Sequence, residues 1–417
     1  MDGARTRGHP AALEAVRVMI DGGPPPHAVL VSGPGGVGKT TLALDLAAGL
    51  LCRPEDGAAR PCRACRACRM VEHANHPDLH WLRPEGPGGQ VVIGGPDARY
   101  RGVRDLVAEL ALLPVEGGAR VAIVERADRM NEDAQSALLK TLEEPPAGVT
   151  IVLCADEEDR LMPTVRSRCA RIRLGPVGAR AIEEILAAHG VADRPTAARL
   201  GRLAGGRPGI AMAYARAPDA LVTRAELARA LLDLVDARPS ARFAALRGLV
   251  PRAAELVAAL DAGAATAGPP GSNEAAGARA GRRGRRAAAS TPRPGNATGT
   301  AGPDDDELAA ETEADAAEGP ARRVPASERR RAASTLIDVW LDLARDLALV
   351  GAGERSSLRD PALLEELDAV GARLRPGEIG DFLTRLARAA ERLEANVAPE
   401  LLLDSLVLAW PRAARVA

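Results

Sequence analysis

Lysine is almost missing from this chain. It occurs twice, at Lys39 and Lys140, among 55 basic residues, so arginine fills the other 53 positions. The bias points to a GC-rich genome more than to function, and it sets the two ammonium groups apart, because a compact charge on a flexible stem does a job that a guanidinium fork does not. Aromatic side chains are nearly as scarce, with two Phe, two Tyr and three Trp in 417 residues. That count argues against a stacking platform for single-stranded bases, which needs exposed rings. The net charge of −1 lacks the overall basicity of a dedicated nucleic-acid binder, so any DNA contact must be local. No run of about 18 apolar residues occurs, and the opening MDGARTRGHP has no apolar core of a signal peptide. The expectation is a cytoplasmic protein with no membrane association.

What is present starts with length: 417 residues exceed what one hydrophobic core supports, which predicts two or three domains. Residues 1–175 alternate helical patterns with short apolar strands at HAVLVSG, DLHWL, ARVAIVE, TIVLCA and ARIRL, the pattern of a parallel sheet with crossover helices. From 176 to 262 the strands stop and short amphipathic helices follow. Residues 263–330 are dominated by Ala, Gly, Pro, Arg, Ser and Thr, then by the acidic run DDDELAAETEADAAEG. With little apolar surface to bury, this stretch is expected to be a disordered tether; its GRRGRR reads as solvated linker, with nucleic-acid contact as the alternative. Leu-rich helical periodicity returns over 331–417, predicting a closing helical domain.

Gly33, Pro34, Gly35, Gly36, Val37, Gly38, Lys39 and Thr40 fit GxxxxGK[ST], after an apolar strand and before a helix opening at Thr40 and Thr41. Glycines let such a loop turn its N–H groups inward, the helix N-terminus adds positive potential, Lys39 can reach terminal phosphates and Thr40 can coordinate magnesium. The bland alternative is a vestigial, empty loop. On the strand VAIVERADRM, Glu125 can serve the metal, but the next residue is Arg126, and a guanidinium cannot accept a proton from an attacking water. Cys52, Cys62, Cys65 and Cys68, spaced C-x9-C-x2-C-x2-C, suit a tetrahedral Zn²⁺ in a reducing compartment; His73 or His76 could replace one thiolate, and redox chemistry or chance clustering are the other readings. The flanking Arg60, Arg63, Arg66 and Arg69 could meet DNA or a partner, or simply be solvated.

The stretches NEDAQSALLKTLEEPP and RSRCARIRL, set beside the phosphate loop, resemble the clamp-loader branch of the AAA+ ATPases. The resemblance implies a RecA-like AAA+ parallel-sheet domain over 1–175 with a zinc insertion at 52–68, a helical lid over 176–262, and a helical collar over 331–417 that mediates oligomerisation. It implies that Arg168 in the SRC turn is an arginine finger acting in trans on a neighbour's nucleotide, the alternative being a surface salt bridge. It also implies a hetero-pentamer with gamma/tau-type and delta-type subunits of a DNA polymerase III assembly, a sliding clamp and primer–template DNA, with Zn²⁺ and Mg²⁺–ATP as cofactors and no polymerase site in the chain. Departures favour a nucleotide-holding stator over a motor. Ala155 and Asp156 stand where motor subunits carry a sensor threonine, and AGGRPGIA offers Pro208, or Arg207 one position away, where they carry a sensor arginine. The competing expectations are an active motor ATPase and a zinc-dependent nucleic-acid-binding module with a vestigial nucleotide fold.

Overall fold

The computed structural model describes residues 3–54, 58–96, 98–116, 118–265, 325–394 and 397–412. Its first half is one five-stranded parallel sheet, built from β1 (Ala28–Ser32), β2 (Leu79–Leu82), β3 (Arg120–Val124), β4 (Val149–Ala155) and β5 (Ala170–Arg173). The order is β2-β3-β4-β1-β5, so all five strands expected from the sequence pair side by side. β1, β3 and β4 are buried along their whole length, which is why they read as continuous apolar runs instead of alternating ones.

Alternation reappears as a division between the two faces of the sheet. Val29, Val31, Val121, Ile123 and Val152 pack with α1 (Pro10–Asp21) and α2 (Lys39–Leu51) through Val16, Ile20, Leu42 and Leu46. Leu30, Ala122, Val124, Ile151 and Leu153 pack with α4 (Val103–Leu110) and α5 (Glu132–Glu143) through Leu106, Leu110, Leu138 and Leu142. Each fully buried Val, Leu or Ile among them contributes about 1.5–3 kcal/mol. The short α3 (Arg66–Glu72) lies between α2 and β2. The α5 sequence carries its own start signal, because Asn131 caps it by accepting from the Ala134 N–H at 2.9 Å.

Beyond β5 the described chain is helical. A four-residue turn, α6 (Pro163–Arg166), precedes that strand, and α7 (Ala179–Ala188), α8 (Arg194–Leu203), α9 (Pro208–Arg216), α10 (Pro218–Asp233) and α11 (Pro239–Ala265) follow it. After the undescribed stretch come α12 (Ala326–Gly351), α13 (Leu364–Gly371), α14 (Pro376–Glu394) and α15 (Pro399–Ala409). The stretch expected to be a tether is therefore helical at its ends, at 263–265 and 326–330; residues 266–324 lie outside the described residues. One apolar cluster runs through both helical groups, from Ile182 and Leu200 through Leu231 and Leu256 to Leu336, Leu386 and Leu406. At its centre Trp340, Phe382 and Trp410 meet with ring centroids 4.7–5.5 Å apart, close to the edge-on geometry that aromatic quadrupoles favour.

Candidate functional site

The topology puts a crevice at the C-terminal edge of the sheet, where β1 lies between β4 and β5, the position at which open parallel sheets bind ligands. Register fixes its lining. Ser32 pairs with Ala155, and the Gly33 N–H donates to the Ala155 carbonyl at 3.2 Å, so the loop leaving β1 starts against the end of β4. Gly33 takes φ +146°, and a Cβ there would stand 2.2 Å from the Leu174 carbonyl oxygen; only glycine fits. Gly36 and Gly38 are also left-handed, and Gly38 is the N-cap of the thirteen-residue α2. The loop thus turns around a helix N-terminus, where the dipole and unpaired N–H groups favour an anion.

Lys39 is 7% exposed and bonded to the loop it serves. Its ammonium donates to the Gly33 and Pro34 carbonyls at 2.7 and 2.8 Å and pairs with Asp156 at 2.6 Å. The other Asp156 oxygen faces the Arg126 guanidinium at 3.3 Å. Arg126 also grips Asp128 at 3.1 Å, and the Asp128 carboxylate accepts from the Asp156 backbone N–H at 2.9 Å. The two residues read as departures, Arg126 and Asp156, therefore form one ionic chain with the loop lysine. Thr40 and Thr41 are half-buried on the first turn of α2. Glu125 follows the end of β3, and burial raises its carboxyl above the ordinary range against the pull of Arg83, 3.8 Å away. Cys154, fully buried on β4, lies in the field of Glu125, Lys39, Asp156 and Asp128; burial first, then those carboxylates, push its thiol up to about 12.

The helical region closes over the loop from the other side. The Gly209 N–H donates to the Gly36 carbonyl at 2.8 Å, and a Cβ on Gly36 would lie 3.7 Å from Arg207 Cβ. Arg207, the N-cap residue of α9, thus has its Cβ near the phosphate loop, and its guanidinium donates to the Ala204 carbonyl at 3.2 Å. Arg168 lies elsewhere. Among the described contacts its guanidinium meets the Thr164 carbonyl at 2.9 Å and Glu143, at the end of α5, at 2.7 Å. None of its partners belongs to the phosphate loop.

The four cysteines converge. Cys52 caps the C-terminus of α2, Cys65 caps the N-terminus of α3 and Cys68 is inside α3. The four sulfurs lie within 4.8 Å of one another, and Cys52 Sγ is 3.5 Å from Cys62 Sγ and 4.0 Å from Cys65 Sγ. Four thiolates around Zn²⁺ at about 2.3 Å stand about 3.8 Å apart, so the donor set and spacing fit a closed structural zinc site. Burial works to raise the Cys62 thiol, but N–H groups of Cys65 and Ala64 and the neighbouring sulfurs bring it down to about 6. Burial pushes Cys52 up to about 11 and Cys68 higher still; a bound cation would supply the charge their ionisation needs. Neither histidine joins this cluster: His73 caps α3, and buried His76 accepts from the Asp78 N–H at 3.1 Å.

The arginines around the cysteines are engaged within the chain. Arg60 meets Asp21 and the Ile20 carbonyl, Arg63 meets Asp45 and Glu72, Arg66 lies 3.6 Å from Glu116, and Arg69 reaches the Ala64 carbonyl. Asp45, fully buried on α2, also accepts from the Arg5 and Thr6 N–H groups. It ties the N-terminal segment and the cysteine knuckle to the nucleotide-loop helix. Sequence reasoning missed Asp45, and it missed Asp128 as the anchor of Arg126; nothing local marks either residue, because their partners are far away in sequence or set by the fold.

A loop of this geometry on a parallel sheet, with helices packed against it, defines the chain as a nucleotide-loop α/β protein. Residues 8–178 match the family model described as DNA polymerase III, delta subunit. The DNA polymerase III subunit delta' of Pseudomonas aeruginosa is 39% identical over 184 residues, 44% of this chain and 53% of that protein; the subunit of the same name from Bacillus subtilis is 35% identical over 174 residues, 42% and 49%. The DNA polymerase III subunit tau of Salmonella typhimurium is 33% identical over 179 residues, 42% of this chain and 26% of that protein. Over this region the chain is similar to the delta' and tau subunits of DNA polymerase III. It spans about half the length of the delta' relatives that it matches. Among solved structures, a DNA polymerase III gamma subunit-related protein from Thermotoga maritima is similar at 16% identity with a TM-score of 0.41, over 95% of this chain and 97% of that one.

Proposed function

We propose that the chain is a delta-prime-like subunit of a DNA polymerase III clamp loader, which holds nucleotide without turning it over efficiently and supplies Arg168 in trans to a neighbour's ATP. The observation that carries this reading is the ionic chain Lys39–Asp156–Arg126–Asp128. It puts a guanidinium, which cannot accept a proton, directly after Glu125 and occupies the lysine with a carboxylate. The partners of Arg168 are a carboxylate half-exposed to solvent and one carbonyl, so a docked subunit's phosphates could compete for it at little cost.

In this reading residues 1–175 are the AAA+ module, 176–262 the lid and 331–417 the collar. Cys52, Cys62, Cys65 and Cys68 hold Zn²⁺, which would supply structural cross-linking and no activated water, since four protein ligands close the site. Gly33 to Lys39 cradle the phosphates of ATP or ADP, with Thr40, Thr41 and Glu125 on the magnesium side. The partners are gamma/tau and delta subunits in a hetero-pentamer, and through that assembly the sliding clamp and primer–template DNA, in a bacterial cytoplasm. No helix among the described residues is long and apolar enough to cross a membrane. The engaged arginines around the cysteines give the nucleic-acid-module reading no support.

The test is co-purification with the sister subunits followed by an ATPase assay. Arg168→Ala should lower DNA-stimulated hydrolysis by the assembled complex at least tenfold, within the range arginine fingers contribute, without disrupting assembly. Brisk hydrolysis by the chain alone, abolished in Glu125→Ala, would instead make it a motor subunit.

A further inference from the structure

The contact between Lys39 and Asp156 bears on which nucleotide the loop accepts. A lysine ammonium has three donors and no more. Here two reach the Gly33 and Pro34 carbonyls and the third reaches Asp156 Oδ1. The loop's own lysine is therefore already neutralised by a carboxylate of this chain, at the place where a bound nucleotide would bring its terminal phosphate. The same carboxylate closes on the loop backbone, since a Cβ on Gly35 would stand 3.2 Å from Asp156 Oδ2.

We infer that Asp156 acts as an internal anion that sets the specificity of this pocket, so that it takes a nucleoside diphosphate in preference to a triphosphate; this rests on the nucleotide-binding reading above. The carboxylate is not free to swing away. Oδ1 is fixed by Lys39, its side chain also by Arg126 at 3.3 Å, and its backbone N–H by Asp128 at 2.9 Å. Arg126 is in turn held by Asp128 at 3.1 Å. Arg126 and Asp128 follow the end of β3 and Asp156 the end of β4, strands whose register is set by the sheet core, while Lys39 opens α2. A diphosphate can settle on the N–H groups of the loop and the N-terminus of α2 while Asp156 keeps its place. A γ-phosphate must either displace it from two cations or stand against it as a like charge in a partly dehydrated crevice, where repulsion is stronger than in water.

Asn is close to the isostere of Asp and removes the charge while keeping an acceptor for Lys39 and Arg126. Asp156→Asn should therefore raise affinity for the triphosphate more than for the diphosphate.

The experiment is isothermal titration of the full-length chain with Mg²⁺–ADP and Mg²⁺–ATP, on the parent, Asp156→Asn and Lys39→Met. The parent should bind ADP about tenfold or more tightly than ATP, a modest share of what one unscreened like charge imposes at this range. Asp156→Asn should reduce that ratio to about one, chiefly by tightening ATP, and Lys39→Met should weaken both nucleotides. The parent's ADP-to-ATP ratio is a readout that needs no variant. If Asp156→Asn melts much lower than the parent, Asp156→Ser serves in its place. Equal affinity of the parent for ATP and ADP, or a ratio that survives loss of the Asp156 charge, overturns the inference while leaving nucleotide binding intact. Failure of parent and charge-removed variant alike to bind either nucleotide overturns both the inference and the nucleotide-binding reading.

Discussion

Arg242 has no exposed surface, and its guanidinium donates to five carbonyls: Val235, Ala237, Val407, Trp410 and Pro411. Two of these belong to the loop after α10, and three to the last turn of α15 and the residues after it, where helix carbonyls have no partner within the helix. One side chain therefore joins segments more than 160 residues apart. Arg242→Leu should lower unfolding free energy by about 3 kcal/mol or more in denaturant titrations, because several buried acceptors lose their donor together; a loss under about 1 kcal/mol would show that water replaces the guanidinium. A second residue-scale effect concerns Glu125. Its folded carboxyl is raised above the ordinary 4.5 by burial, so the neutral form is favoured by folding. The stabilisation that follows is complete at pH below the unfolded value and disappears as pH rises through the folded one. Glu125→Gln stays neutral throughout and should gain on the parent as pH climbs from mild acid to neutrality. Thermal melts of the two proteins across that range test it, and parallel curves would contradict it.

At the scale of elements, the cysteine knuckle is the part most dependent on something outside the polypeptide. It links the C-terminus of α2 to α3, and Asp45 anchors Arg63 beside it. One zinc per chain is expected by elemental analysis. Cys65→Ser or strong chelation should remove it and lower the melting temperature, whereas Cys169→Ala should retain a full equivalent, since Cys169 is outside the cluster. Zinc retained in Cys65→Ser would mean the four sulfurs do not form the site. This element was legible in the sequence because four thiols at short spacing need little from the fold to converge. The strands were legible for another reason: β1, β3 and β4 are buried on both faces and read as apolar runs, with only Ser32, Arg120 and Thr150 polar among them. The partner of Lys39 was not legible. Asp156 follows the lysine by 117 positions, and only the pairing of Ser32 with Ala155 brings the two together; the sequence marks Asp156 as an odd residue without saying what it touches.

For the whole molecule, periodicity shows that a helix has an apolar face but not which element covers it. The sequence reads as separate lid and collar regions; the described helices on both sides of residues 266–324 share one core, with α11 against α12 and the Trp340–Phe382–Trp410 group at its centre. Arg224 pairs with Asp342 at 2.8 Å and Arg199 with Asp360 at 3.1 Å across the same boundary. A chain cut at a protease site engineered within 266–324 should consequently keep its two pieces together through gel filtration, and pieces that separate without denaturant would contradict a shared core. In the stator reading proposed above, the helices on both sides of residues 266–324 would meet a neighbouring subunit as a single body.

The measurement that bears most directly on the stator account is ATP hydrolysis by a reconstituted loader in which only this chain is altered, comparing Lys39→Met with Arg168→Ala. Turnover close to the parent complex with the first and a loss of tenfold or more with the second is the predicted outcome. The reverse pattern, activity that depends on Lys39 and ignores Arg168, would contradict the account.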